Sequence, residues 1–328
     1  MRVLVTGGGG FLGRAIIRQL LAKGHDLRAY QRSPHADLSD QGVAIVQGDI
    51  TDADALSAAV NGCDAVIHTA AKAGVWGTWD AYYAANVTGT ENVVAACLNH
   101  GVEYLIHTST PSVVYSGESF EGADESLPYG CDIPSPYPAT KAQAERAALL
   151  ANGIGKLRTC ALRPHLIWGV GDPHLVPRVL AKARTGRLRI IGDGTNRVDL
   201  THVDNAAHAH LCALEALQSG KGAGRAYFIS DDAPVALWPW INALLTRLGN
   251  PPVTQRLPLD AARAIGGVLE FAWWLLPLPG EPAMTRFVAT ELAKSHWFDI
   301  SAAKRDLNYA PTVDTAAALE ALAHAHEC

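Results

Sequence analysis

The chain has 328 residues, 48% of them hydrophobic and 18% charged, with a net charge of −5. That is the balance of a soluble globular protein, long enough for one large domain or two modest ones. The acidic balance argues against a nucleic-acid partner held by bulk electrostatics, and no apolar run reaches the roughly 18 residues of a membrane span.

From the N-terminus, Met1 leads straight into RVLVT, a short β-branched strand, and then into glycines. The longer apolar core and cleavage site of a signal peptide are missing. The six cysteines (Cys63, Cys97, Cys131, Cys160, Cys212 and Cys328) show no C-x-x-C spacing, so neither a disulfide framework nor a zinc site is expected. A cytoplasmic setting follows as the expectation. GRAIIRQLLAKG has helical periodicity and a glycine stop at Gly24. DLRAY, VAIVQG, DAVIHTA and EYLIHTS read as strands, with helical segments around Ala53–Val60 and Val87–His100 between them. Apolar strands separated by helices predict an α/β fold, a Rossmann doubly wound parallel sheet covered on both faces. Residues 1–165 are assigned to it, with residues about 204–230 returning to it. Residues 166–328, irregular and richer in proline and tryptophan, are read as a smaller C-terminal substrate-binding lobe. There a helix near Val176–Thr185 precedes RLRIIGDG, and VDTAAALEALAHAHE is an amphipathic closing helix.

TGGGGFLG sets Gly7, Gly10 and Gly13 in G-x-x-G-x-x-G spacing, after a strand and at the opening of a helix. Gly7 permits the tight turn, Gly10 lets backbone approach a pyrophosphate, and Gly13 lets helix pack on strand. The dinucleotide site of an NAD protein places a carboxylate at the end of the second strand. Here Gln31 stands there, followed by Arg32. A guanidinium suits the 2′-phosphate of NADP, so NADP(H) is favoured over NAD, with Arg14 able to assist. Asp49 after the third strand is placed either for the adenine amino group or as a turn residue. In SPYPATKAQAE, Tyr137 stands four residues before Lys141, on one helix face if the helix opens near Pro138. HAHLC and HAHEC look like metal ligands, but His208 and His210 diverge around a helix and no carboxylate–histidine set accompanies them, so no metal is expected.

With these pieces together, the chain resembles the extended short-chain dehydrogenase/reductase superfamily over nearly its whole length. TGGGGFLG, GDITD, NVTGTENV, TSTPSV, YPATK and LRPHLIWGVGD carry the likeness. Within it the chain resembles the 3β-hydroxysteroid dehydrogenase-like branch. AAKAGVWGTWDAYYAANVTGT, STPSV and LRPHLIWGVGD narrow the likeness to bacterial 2-alkyl-3-oxoalkanoate reductases of long-chain olefin biosynthesis.

The resemblance implies NADPH-dependent reduction of a 3-keto group. Tyr137 would give the proton, Lys141 would lower the phenol pKa and hold the nicotinamide ribose, and Thr110 would hold the carbonyl beside Tyr137. Ser109 or Ser112 could share that last role, and Asn86 would organise the fourth strand against the site. Cofactor contacts are implied for Gly7, Gly10, Phe11, Leu12 and Gly13, for Arg32, Asp49 and Ile50, and for Ala70, Ala71, Lys72 and Thr108. Tyr137, Lys141, Pro164 and Ile167 complete that set. Trp76 and Trp168 are candidate pocket walls, and Lys72, His165 and Arg286 are candidate partners of a substrate carboxylate. GVLEFAWWLLPLPG, with Trp273 and Trp274, reads as core, as a substrate-covering helix, or as a membrane-surface contact. A homodimer through the helices near Val87–His100 and Pro138–Asn152, and a complex with other olefin-pathway enzymes, are also implied. Three other functions compete: a 3β-hydroxysteroid or sterol dehydrogenase, a nucleotide-sugar epimerase or dehydratase, and a non-catalytic NADP-binding sensor.

Overall fold

In a computed structural model describing residues 1–130, 135–276 and 278–327, seven parallel strands form one central sheet. The first four are β1 (Arg2–Thr6), β2 (Asp26–Gln31), β3 (Ala44–Gln47) and β4 (Ala65–His68). The others are β5 (Tyr104–Thr108), β6 (Arg158–Pro164) and β7 (Arg225–Ile229), and the order across the sheet is β7-β6-β5-β4-β1-β2-β3. This is a Rossmann-type α/β fold. The apolar runs of the central strands follow from burial on both faces. In β1, Val3 and Val5 pack into one core cluster while Leu4 packs into the opposite one.

One face carries α1 (Phe11–Ala22) and α5 (Val203–Gln218), which pack on each other. The other carries α2 (Ala53–Val60), α3 (Gly89–Asn99) and α4 (Pro136–Leu150), side by side. Residues 203–229 thus supply a helix and the last strand of the sheet. Ahead of α3, Tyr83–Thr88 form a π-helical segment, which overlaps the expected helix only at Val87 and Thr88.

A second core gathers Trp168, Trp238, Ile241, Leu244 and Leu322 beyond the strand ends. It adjoins a four-stranded sheet of Val235–Ala236, Arg197–Val198, His296–Phe298 and Phe120–Ala123. Phe120–Ala123, from the first half of the chain, therefore pairs with the C-terminal part. The tryptophan-rich segment forms α6 (Leu259–Leu275), against which α7 (Arg286–Glu291) packs. Most of its apolar side chains are not core: Val268, Phe271 and Trp274 are 69%, 59% and 76% exposed. Only Ala262, Gly266 and Glu270 of that helix are buried, because its contact with α7 is narrow. Trp168 is itself core, 1% exposed against His202 and Trp240, and does not wall a pocket. Among the described residues no helix is long and apolar enough to cross a membrane. Cys63, Cys97, Cys160 and Cys212 are buried free thiols; Cys131 and Cys328 lie outside the described residues.

Candidate active site

The glycine loop closes as β1 gives way to α1. Gly7 has φ +69°, and a Cβ there would stand 2.9 Å from the Thr69 hydroxyl and 3.0 Å from the Ala70 amide. A Cβ on Gly13 would meet the Gly7 carbonyl at 2.2 Å. Gly10 caps α1 without a side-chain bond, so the first amides, those of Phe11, Leu12 and Gly13, stay open at the positive end of the helix dipole. This cradle fits a dinucleotide pyrophosphate.

At the end of β2, Gln31 is buried and its Oε1 has no partner among the described residues, while Arg32 is exposed. Arg14 donates to the Gly9 carbonyl, meets His35 Nδ1 at 2.8 Å and pairs with Asp37. Its charge is therefore already engaged. Asp49 Oδ1 accepts from the Thr51 amide and hydroxyl at 2.9 and 2.8 Å, the turn-forming alternative. Ile50 is buried and would abut any side chain placed at Gly89.

Beyond β4, Ala70 donates its amide to the Thr6 hydroxyl, and Ala71 is exposed. Asn86, inside the π-helical segment, clamps the backbone of Lys72: its Oδ1 accepts from the amide at 2.7 Å and its Nδ2 donates to the carbonyl at 3.2 Å. The same Nδ2 donates to Thr140 at the start of α4. Asn86 thus ties the segment after β4 to the helix of Tyr137.

That helix begins at Pro136, so Pro136 and Pro138 both fall in the first turn, where amides have no intrahelical acceptor. Tyr137 is half-buried, with its ring 6.4 Å from that of Tyr82 in an edge arrangement. The Thr110 hydroxyl neighbours its phenol and favours the ionised form. Thr110 meets the Ser112 hydroxyl at 2.9 Å, whereas the Ser109 hydroxyl is buried without a partner among the described residues. Burial pushes the Tyr137 phenol up, and the Thr110 hydroxyl opposes this. The expected depression by Lys141 is not seen. The Lys141 ammonium, 3% exposed, donates instead to the Thr108 carbonyl at 2.6 Å and lies 3.4 Å from His107 Nε2. Burial brings it down to about 8, with Glu145 opposing.

Pro164 is buried at the end of β6, and Ile167 pairs with Thr201. Of the carboxylate candidates, His165 is buried with its Nε2 2.5 Å from His296 Nδ1, and Arg286 is paired with Glu270 at 2.6 Å. Lys72 lays its ammonium over the Tyr82 ring, 5.1 Å from the centroid. Trp76 is half-buried beside it, its carbonyl accepting from the Tyr82 hydroxyl at 3.3 Å.

Three buried histidines around Lys141 were not singled out as site residues: His68, His107 and His210. The available signal was a ring interrupting apolar strands, as in AVIH and YLIHT.

Residues 4–259 match the model of the 3-beta hydroxysteroid dehydrogenase/isomerase family. A 2-alkyl-3-oxoalkanoate reductase of Stenotrophomonas maltophilia is 50% identical over 95% of this chain and 96% of its own length. Its namesake in Shewanella oneidensis is 49% identical over 94% and 82%. A dTDP-glucose 4,6-dehydratase from Streptomyces venezuelae, solved with NAD bound, superposes with a TM-score of 0.77 at 24% identity, covering 100% of this chain and 97% of that one. It shares the fold. By family match and by these relatives, the chain belongs to the 3-beta hydroxysteroid dehydrogenase/isomerase family of oxidoreductases, within the extended short-chain dehydrogenase/reductases.

Proposed function

We propose that the chain reduces the 3-keto group of a 2-alkyl-3-oxoalkanoic acid to the 3-hydroxy acid with NADPH. The observation that carries the chemistry is the convergence of Thr110, Tyr137 and Lys141 at the strand ends, next to the glycine cradle. The substrate class is that of the two relatives near 50% identity. Residues 1–165 hold the dinucleotide and residues 166–328 shape the substrate side.

NADPH supplies the hydride when bound. The chain supplies the proton and the geometry. Tyr137 is protonated at neutral pH because burial raises its phenol, which suits a group that must donate to a developing alkoxide. Thr110 orients that phenol and offers its own hydroxyl to the carbonyl oxygen. Lys141 is an ammonium at pH 7, and with Thr108 it forms the floor beneath the ribose. Pro164 and Ile167 line the nicotinamide side, and Gly7 to Gly13 take the pyrophosphate. Gln31 in place of an acid, with Arg32 exposed beside it, supports a 2′-phosphate over a hydroxyl; Arg14 is engaged by Asp37, so Arg32 carries the preference. Asp49 and Ile50 flank the adenine. Lys72 meets the substrate carboxylate, since Arg286 and His165 are occupied by Glu270 and His296. The setting is the cytoplasm, as a homodimer through α3 and α4 that serves enzymes of long-chain olefin synthesis.

The test is NADP⁺ reduction with a 2-alkyl-3-hydroxy long-chain acid, run beside NAD⁺ and beside a 3β-hydroxysteroid. Turnover of the acid with NADP⁺ is expected. Tyr137→Phe should lose about a hundredfold to ten-thousandfold in kcat, the usual share of general acid–base catalysis. Arg32→Ala should erase the preference for NADP⁺. Lys72→Ala should raise KM for the acid and leave a neutral alcohol unchanged. Turnover of the steroid alone would overturn the substrate assignment.

A further inference from the structure

His107 interrupts the apolar strand β5 and is 0% exposed. Its Nε2 lies 3.4 Å from Lys141 Nζ. Burial, Lys141, His68 and His210 all oppose a charge on this ring, so it is neutral. The nitrogen facing an ammonium must then be the unprotonated one, which puts the ring proton on Nδ1. Nδ1 has no partner among the described residues. A buried, unanswered N–H is a cost the fold carries to keep the other nitrogen where it is.

The two neighbouring rings cannot substitute. His68 uses its nitrogens on Thr6 and Thr90, at 2.7 and 2.9 Å. His210 donates to the Ala206 carbonyl at 2.7 Å and accepts from the Thr108 hydroxyl at 2.8 Å. Lys141 has three N–H bonds. The Thr108 carbonyl takes one at 2.6 Å and His107 answers a second, which leaves one to point out of the wall.

We propose that His107 is a positioning residue of this site: its bare Nε2 orients the Lys141 ammonium so that a single N–H faces the cofactor ribose and Tyr137. This rests on the reading of Tyr137 and Lys141 above. The titratable groups around Lys141 are Tyr137 and Glu145 on its own helix, His107 on β5, His68 on β4 and His210 on α5. The three rings are neutral, so Glu145 is the only one that favours the ammonium by charge, and His107 acts as an acceptor. Removing that acceptor disfavours the ammonium, and the lysine loses its proton at lower pH.

The experiment follows two quantities across pH 6.5–10: the NADPH dissociation constant, read by nucleotide fluorescence, and kcat/KM for the 2-alkyl-3-hydroxy acid. In His107→Met the alkaline limb of both should move down by about one pH unit. In His107→Gln, whose amide oxygen reaches the Nε2 position, both limbs should return to the wild-type pH. An unmoved limb in His107→Met, or an equal shift in His107→Gln, would overturn the proposal, the second because packing alone would then explain it. If His107→Met fails to fold, as read by thermal unfolding, His107→Asn replaces it. Its shorter amide should shift the limb while Gln does not, and equal limbs would overturn the idea. Lys141→Met separates the two levels. Full activity there would remove Lys141 from the site and the inference with it. Loss there with an unmoved limb in His107→Met would remove His107 alone.

Discussion

Lys141 poses the electrostatic problem of this site. Residue spacing leads one to expect its charge to pull the Tyr137 phenol down. In the folded chain burial acts on both groups, raising the phenol and lowering the ammonium to about 8, while the lysine directs its N–H bonds to Thr108 and His107. A folded pKa near 8 predicts that NADPH reduction weakens as pH rises through 8, where the ammonium is lost. A pH–rate profile checks this, and Lys141→Met should show no such limb. At the cradle, Gly13→Ala would drive a Cβ to 2.2 Å from the Gly7 carbonyl. The loop must move, and NADPH affinity should fall by at least about tenfold, measured by fluorescence titration. The tight turn at Gly7 and the shared helix of Tyr137 and Lys141 were legible in the sequence because they lie in short-range spacing. His107 and His210 were not, because their partners lie 34 and 102 residues away.

Helix α4 owes its place to a buried ion pair. Glu145 accepts from Arg163 of β6 at 2.5 and 3.0 Å and from the Tyr129 hydroxyl at 2.8 Å, with the two charged side chains 0% and 4% exposed. Glu145→Ala leaves a guanidinium buried without its counter-charge, at a cost of about 3–5 kcal/mol. Urea unfolding at pH 7 should show it, with Tyr129→Phe costing only about 1 kcal/mol. Helix α6 tells the opposite story. Core was one of three readings of its sequence, GVLEFAWWLL, yet Phe271 and Trp274 face solvent. Trp274→Ser should therefore shift stability by less than about 0.5 kcal/mol, where a core tryptophan would cost about 3–5. Hydrophobicity marked the segment as a helix. Which face found a partner depended on α7, whose Thr285 and Arg286 backbone presses on Gly266, and no local pattern encodes that approach.

For the molecule as a whole, the alternation of apolar strands and helices was enough to give the parallel sheet, since the central strands are buried on both faces. The crossing of Phe120–Ala123 into the second sheet was hidden, because that strand pairs with residues nearly 180 positions on. Acid stability is a property of the same interior. His68 is lowered to about 3 and His210 to about 4, and His107 and His165 also fall well below the ordinary histidine value. Unfolded histidines take up protons near pH 6.5 while these do not. The stability each contributes is present above that pH and is lost as pH falls through it, by up to about 1.4 kcal/mol per pH unit. Asp199, raised to about 6 by burial, opposes this: its contribution is full below its unfolded value and is lost as pH rises through 6. Burial also raises Glu125, Asp231 and Glu291, but it lowers His25, His202 and His208 along with the four above, so the histidines outweigh the carboxyls. Denaturant unfolding should show stability dropping steeply between pH 6.5 and 5, and a flat profile there would contradict the buried neutral rings. The account's central claim is that hydride passes between a 3-hydroxy acid carbon and the nicotinamide while Tyr137 handles the proton. The direct test is to supply a 2-alkyl-3-hydroxy acid deuterated at carbon 3, with NADP⁺, and to look for deuterium in the reduced nucleotide by mass spectrometry. The label should appear with the wild-type protein and be nearly absent with Tyr137→Phe. Label arriving from a deuterated 3β-hydroxysteroid but not from the acid, or arriving undiminished in the variant, would contradict it.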